Sequence, residues 1–303
     1  MKRILVPTDF SPHANAALAH AMTFAESYGS EIHILNIQVP YGPIEPLAKE
    51  YPGEAAARKK LDELDTGTAK VVRALRRGFA AGPTILDYAA ENGIDLIVMG
   101  SHGYRGIPRL LLGSVAEEVL RGSVCPVLVI REATLGGPRY ERLLVPVDFS
   151  TETDRQLEVV VDLAERFDAR IDLIHVLDPP TMPELYVPLG PIAMDMKTIA
   201  TEAAAALEEL AEPLRARYEV STEILVGRAG KTIAAKAEGA DLIVMPTHGH
   251  SGIDRVLLGS VTEGVLRRAD CAVLALKPGL ATAEVGTAVE EVAMPPIPDP
   301  ALP

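Results

Sequence analysis

The chain contains no tryptophan, two cysteines and 4% aromatic residues among 303. So few aromatics argue against a platform for single-stranded nucleic acid or sugar, which needs flat stacking surfaces. Two cysteines cannot form a disulfide framework in a chain this long. Cys125 and Cys271, in SVCPVLVI and ADCAVLAL, are expected to be small apolar packing residues in strands. No apolar run approaches the roughly 18 residues of a membrane span. The start, MKRILVPTDF, is too briefly apolar for a secretory signal, so a reducing cytoplasm is the expected setting. The histidines and cysteines show no zinc-ligand spacing. No GxGxxG follows a strand pattern, which disfavours a dinucleotide dehydrogenase. VGRAGKT (226–232) invites a phosphate-loop reading but has Leu225 where that motif needs glycine. It is expected to be a turn after a strand, with Lys231 solvated or near a ligand rim.

The negative charge is unevenly spread. Residues 1–140 hold 15 Lys+Arg and 15 Asp+Glu; residues 141–303 hold 14 and 27, the whole net charge of −13. An acidic second half repels nucleic acid and anionic membranes, so neither is an expected partner. A phosphate-bearing ligand would have to be held locally, by backbone N–H groups and a few basic side chains.

What the chain does have is a two-fold repeat. RILVPTDFS (3–11) returns as RLLVPVDFS (142–150), DLIVMGSHG (95–103) as DLIVMPTHG (241–249), and LLLGSVAEEVLR (110–121) as VLLGSVTEGVLR (256–267). The offset is 139 residues at the start and 146 later, so the second copy carries a small insertion. A unit of this size can bury its own core. The expected organisation is a domain over 1–131, a linker over 132–141 (EATLGGPRYE), a second domain over 142–277, and an Ala/Pro/Glu-rich mobile tail over 278–303.

Within each copy, short apolar runs alternate with helical patterns. ILVPT reads as a strand covered on both faces. SPHANAALAHAMTFAESYG reads as a helix, with Ser11 as N-cap, Pro12 in the first turn and Gly29 at the end. EIHILNIQV is a strand, 53–68 a charged helix and KVVRALRRG a poorer strand. PTILDYAAENG is a helix, IDLIVMG a strand, SVAEEVLRG a helix and CPVLVIRE a strand. AAAALEELAEPLRARY (203–218) reads as an amphipathic cover helix. DPPTMPELYVPLGPIAM (178–194) suits either a lid or a surface excursion. This alternation predicts an α/β fold of two tandem doubly wound domains, with parallel strands and helices on both faces.

In such a sheet the ligand lies beyond the strand carboxyl ends. That places Pro7, Thr8 and Asp9 of the first copy, and Pro146, Val147 and Asp148 of the second, among the candidates. The other candidate is the glycine loop GSHGYRGIPRLLLGS (100–114) after Met99, repeated as PTHGHSGIDRVLLGS (246–260) after Met245. Each loop ends in Gly-Ser directly before a helix, where unpaired N–H groups and a partial positive charge favour an anion. Ser114 adds a hydroxyl and can also cap. Arg105, Arg109 and Arg255 can add charge. Tight turns and a plain N-cap would explain the same residues. His102 and His248 fit either a phosphate contact or, more commonly, packing against the neighbouring turn.

The spacing Gly100-x2-Gly103-x9-Gly113-Ser114, together with PTD after the first strand, closely resembles the universal stress protein family over about 270 residues in two copies. The resemblance implies five-stranded parallel sheets of order 3-2-1-4-5. It also implies ATP over the strand ends, with a divalent cation, Mg or Mn, accompanying the triphosphate. Asp9 would lie near ribose or adenine, and Ile37 would touch adenine. Gly100, Gly103, Gly113 and Ser114 would embrace the phosphates, and Val115 would add a backbone donor. His102 and Arg105 would stand nearby. In the second copy Asp148, Val176, Gly249, Gly259, Ser260 and Val261 match, but Pro246 replaces the first glycine and loses an N–H and torsional freedom. The resemblance further implies that the copies pair through their last strands, CPVLVI and CAVLAL, as an internal pseudo-dimer, with further homodimerisation and an unknown protein partner open. The expected function is a nucleotide-binding regulatory protein. A slow ATPase, a nucleotidyl-transfer enzyme or a nucleotide-free scaffold are the alternatives. The chain lacks the SGGxDS and HxGH signatures of ATP-cleaving relatives, and no general base stands out beyond Asp9 and the loop histidines.

Overall fold

The structure, a computed structural model, describes residues 1–39, 53–101, 112–131, 137–178, 196–247 and 258–277. The predicted tail, the core of both glycine loops and nearly all of the Pro-rich segment after residue 178 lie outside them.

The first half runs β1 (Arg3–Pro7), α1 (Pro12–Tyr28), β2 (Glu31–Gln38), α2 (Glu54–Glu63), β3 (Val71–Arg77), α3 (Ala81–Glu91), β4 (Leu96–Gly100), α4 (Ser114–Gly122) and β5 (Val127–Ile130). The second repeats this order: β6 (Arg142–Pro146), α5 (Thr153–Phe167), β7 (Arg170–Leu177), α6 (Met196–Arg215), β8 (Val220–Val226), α7 (Ala229–Lys236), β9 (Leu242–Pro246), α8 (Ser260–Arg268) and β10 (Ala272–Leu276).

The strands form one sheet of order β3-β2-β1-β4-β5-β10-β9-β6-β7-β8, which is 3-2-1-4-5 read from either end. Pairing is parallel within each half and antiparallel between β5 and β10, with Val129 opposite Val273. The expected pairing of the two copies through their last strands is therefore what the fold adopts. Successive strand residues face opposite layers. Ile4 and Val6 enter the core under α1 and α5, while Leu5 enters the core under α3, α4, α7 and α8. The continuous apolar runs thus fill two cores at once. The "poorer" strand β3 and its counterpart β8 are the sheet edges, which explains their half-exposed patterns.

Local signals act as expected in α1. Ser11 Oγ accepts from the Ala14 N–H, and Gly29 ends the helix at φ 65°. Three expectations need correction. Cys125 and Cys271 are buried and free but sit just ahead of β5 and β10, not within them. Lys231 is on α7, not in a turn, because Gly227 (φ 147°) completes the turn and lets the helix start at Ala229. α3 begins two residues before the expected Pro83, which falls within its first turn, a position proline tolerates. Within the segment expected as linker, Tyr140 is buried. It is 3% exposed, lies at 2.5 Å from His20 Nδ1 through its hydroxyl, and packs on Phe24 and Phe167. Beside it Tyr28 donates to Asp162, and Arg166 covers the Tyr28 ring while donating to the Ser27 carbonyl. Aromatics are few, but four of them knit α1 to α5 across the two halves.

Candidate functional site

The parallel strands of each half present their carboxyl ends at one end of the sheet. β1 and β4 pair through Ile4–Leu96 and Leu5–Ile97 and part before their ends, at the switch in strand order where a doubly wound sheet has its ligand crevice. β6 and β9 do the same after Leu144–Ile243.

The first crevice gathers most of the expected residues. Pro7 ends β1. Thr8 is buried, donates its N–H to Leu35 O, and accepts the Phe10 N–H on Oγ1 at 3.0 Å. Asp9 is exposed and accepts the Ser11 N–H at 3.0 Å, which shapes the turn into α1. That turn holds Phe10 at φ 63°, a left-handed conformation uncommon for a phenylalanine. Asn36, not singled out from the sequence, donates to the Thr8 carbonyl at 2.8 Å, and Ile37 is half-buried next to it. Met99 is buried and Gly100 ends β4 opposite Ile130.

The loop then returns so that the Gly113 N–H donates to Ser101 O at 2.8 Å, and α4 starts at Ser114. Gly113, not Ser114, is the N-cap, and no side chain caps the helix. Ser114 is the first helical residue, so the capping role expected of it is not taken. Instead its hydroxyl is exposed beside the first-turn amides, which lack intrahelical acceptors. Val115 is half-buried. His102, Gly103 and Arg105 lie outside the described residues.

The second crevice repeats the backbone with other side chains. Pro146 ends β6, and Asp148 accepts the Ser150 N–H at 3.0 Å. Phe149 is again left-handed, at φ 57°. His175 takes the place of Asn36, its Nδ1 at 2.7 Å from the Val147 carbonyl, and Val176 follows it. Met245 is buried. Pro246 stands opposite Leu276 just as Gly100 stands opposite Ile130. Both positions are extended strand ends, so proline's fixed φ disturbs nothing. The Thr247 N–H, one residue later, takes up Leu276 O at 2.9 Å. The Gly259 N–H donates to Thr247 O at 2.9 Å, and α8 starts at Ser260 with Gly259 as its cap residue and no side-chain cap. Val261 is 37% exposed. Gly249 lies outside the described residues. One residue that the sequence did not flag stands out: Gln156 is buried and its amide donates at 2.9 Å to both Pro146 O and Val244 O. It bridges strands exactly where the ladder has ended; a polar residue amid the apolar face of α5 was the available signal.

Among the described residues no side chain caps the start of either helix, an arrangement chemically suited to an anion. Among the described residues no group of three or more His, Cys, Asp or Glu could hold a metal ion, and no helix is long and apolar enough to cross a membrane.

The fold is a doubly wound α/β unit present twice, each copy with a helix start beside the strand-order switch. The family model described as "Universal stress protein family" matches residues 1–131 and 139–277, and the chain belongs to that family. It is 30% identical over 192 residues to universal stress protein Rv2005c of Mycobacterium tuberculosis, a match covering 62% of each chain, so the match spans about three-fifths of that relative's length. It is 33% identical over 143 residues to universal stress protein MJ0531 of Methanocaldococcus jannaschii, covering 43% of this chain and 82% of the relative. Among solved structures, a universal stress protein from Archaeoglobus fulgidus superposes with a TM-score of 0.64 at 24% identity, covering 91% of this chain and 96% of the other. The putative universal stress protein from Pseudomonas aeruginosa UCBPP-PA14 gives 0.68 at 21% identity, covering 91% and 93%. These two likenesses concern the fold.

Proposed function

We propose that this chain is an adenine-nucleotide-binding regulatory protein of the stress response. It holds ATP at the strand ends of two units, 1–131 and 142–277, and signals occupancy to a protein partner. The observation that carries this reading is the pair of uncapped helices. α4 and α8 each begin at a glycine whose own N–H is tied back to the first residue after the preceding strand. The following amides are left to face the crevice, where they meet a phosphate without competition from a capping side chain. Asp9 and Asp148, which accept the N–H groups of Ser11 and Ser150, would contact the ribose or base. With no metal-liganding cluster among the described residues, a divalent cation would arrive with the triphosphate and be held by its oxygens and water. Two buried, unpaired thiols suit a reducing cytoplasm.

Binding without turnover is favoured because holding a triphosphate does not stabilise the transition state for its cleavage. The test is to purify the chain, denature it and identify released nucleotide, then add ATP and magnesium and follow melting. At a hundred times Kd a site should contribute about 2.7 kcal/mol. No released nucleotide and no shift in melting would end the reading. Steady phosphate release abolished by Asp9→Ala would turn it into an ATPase.

A further inference from the structure

The two crevices are joined by a closed circuit of hydrogen bonds through residues outside either site. The Gly113 N–H donates to Ser101 O, and the Ser101 N–H to Ile130 O at 2.9 Å. The next residue, Arg131, is 5% exposed and crosses into the other half. There its Nε donates to Ala269 O at 2.9 Å and its Nη1 to Leu266 O at 3.0 Å, at the carboxyl end of α8. At the other end of α8 the Gly259 N–H donates to Thr247 O, and the Thr247 N–H to Leu276 O. The next residue, Lys277, is 7% exposed and crosses back, its Nζ donating to Leu120 O at the carboxyl end of α4. α4 leads back to Gly113. Each helix thus has its amino end in one candidate site and its carboxyl end gripped by the cation that follows the other half's last strand. Both cations sit where a helix dipole favours positive charge.

We propose that filling one nucleotide site changes the affinity of the other through this circuit, α4 and α8 moving as rigid bodies gripped at both ends. The proposal rests on the nucleotide reading above. A nine-residue helix is about 13 Å long and stiff, so a phosphate that draws its first turn also moves the carbonyls of its last turn. Those carbonyls are bonded to the residue beside the opposite strand end. Adjacency alone does not establish coupling; the distinguishing features here are closure of the circuit and burial of both cations, which leaves little slack. Linkage makes the effect reciprocal.

The test uses the full chain with ATP and magnesium in titration calorimetry. Gly113→Val and Gly259→Val each close one site and report the intrinsic constant of the other. Both retain the backbone N–H of the circuit. In the unaltered chain the stepwise constants should depart from these intrinsic values by roughly fivefold or more. Arg131→Met or Lys277→Met should restore independent binding. Should either fail to fold, Arg131→Lys keeps the charge and one donor while losing the fork, and should reduce the departure. Amide exchange supplies a second readout: in the Gly259→Val chain, ATP at the first site should change exchange in the last turn of α8, and Arg131→Met or Arg131→Lys should diminish the change. Stepwise constants equal to the intrinsic ones, or a departure that survives both cation substitutions, would overturn the proposal. Absence of ATP heat at every site would instead overturn the nucleotide reading and the proposal with it, and is recognised by the single-site chains also giving none.

Discussion

In the first half Ser11 caps α1, Asn36 holds the carbonyl of Thr8, and Ala17 is buried in the core. In the second, α5 starts later, at Thr153, without a side-chain cap; His175 holds the carbonyl of Val147, and Gln156 fills the position matching Ala17. Yet Gly113 and Gly259 meet Ser101 and Thr247 at nearly the same distance, and Phe10 and Phe149 share one unusual conformation. The frame made of peptide groups survived duplication while the side chains around it changed. A frame built from peptide groups tolerates substitution, and its hydrogen bonds are kept around Pro246 where the first half has Gly100. Contacts that depend on side chains are free to drift.

The largest effect expected is loss of one ligand of two. Gly113 has φ −63° and ψ 144°, and Gly259 φ −59° and ψ 143°, conformations that valine adopts readily. Gly113→Val or Gly259→Val should therefore fold normally but place a branched side chain in phosphate space. Bound nucleotide per chain should fall from two to one in each, as measured on the denatured protein. A fall in only one variant would show that the second crevice has drifted out of use.

Next comes the interface between halves. Phe24 on α1 and Leu163 on α5 occupy matching positions, and both are fully buried. Phe24 also touches Tyr28, Tyr140 and Phe167. Phe24→Ala should cost about 3–5 kcal/mol and Leu163→Ala about 2–5 kcal/mol, read from urea midpoints. A separate early transition in the Phe24→Ala chain would mean that the halves unfold independently.

The two crossing cations differ in a way pH can resolve. Arg131 stays charged at any working pH. Burial pushes the Lys277 ammonium down to about 8 from an ordinary 10.5. Between those values the unfolded chain holds a proton that the folded chain has lost, so this residue makes stability rise with pH across that window. The contribution is on the order of 2 kcal/mol. The buried thiols act oppositely, Cys271 being pushed up to about 12 by desolvation, so the measurement is the difference between the unaltered chain and Lys277→Met at pH 7.5, 9 and 10. A difference that does not change with pH would contradict a buried ammonium.

Much of this was legible in the chain itself. Ser11, Pro12 and Gly29 bound α1 through local chemistry alone, and apolar runs of strand length located the strands because each is covered on both faces. The glycine-serine ends of both loops fall at helix starts, although glycine and not serine takes the cap. What escaped were residues whose partners are distant in sequence, Asn36 and Gln156 within one half and others across the two halves. Tyr140 reads as linker until α1 and α5 are brought beside it. Arg131 and Lys277 read as ordinary charges after a strand, although VLVIR and VLALK put a cation at the same place twice. Their carbonyl partners lie 135 to 157 residues away in sequence, a separation no local pattern reports.

The smallest effect sharpens the comparison of the two turns. Ser11 Oγ accepts from the Ala14 N–H at 3.2 Å in a buried setting, so Ser11→Ala removes a working cap and should cost about 1 kcal/mol. The matching Ser150 Oγ is buried with no partner, as are Thr153 Oγ1 and Gln156 Oε1 close by in sequence. A hydroxyl left without a bond is a burden to the folded state, so Ser150→Ala should leave stability unchanged or raise it slightly. The pair of urea midpoints therefore moves in one variant and not in the other. Equal losses in both would mean that Ser150 holds its turn as Ser11 does, and that the second half has kept its side-chain supports along with its backbone.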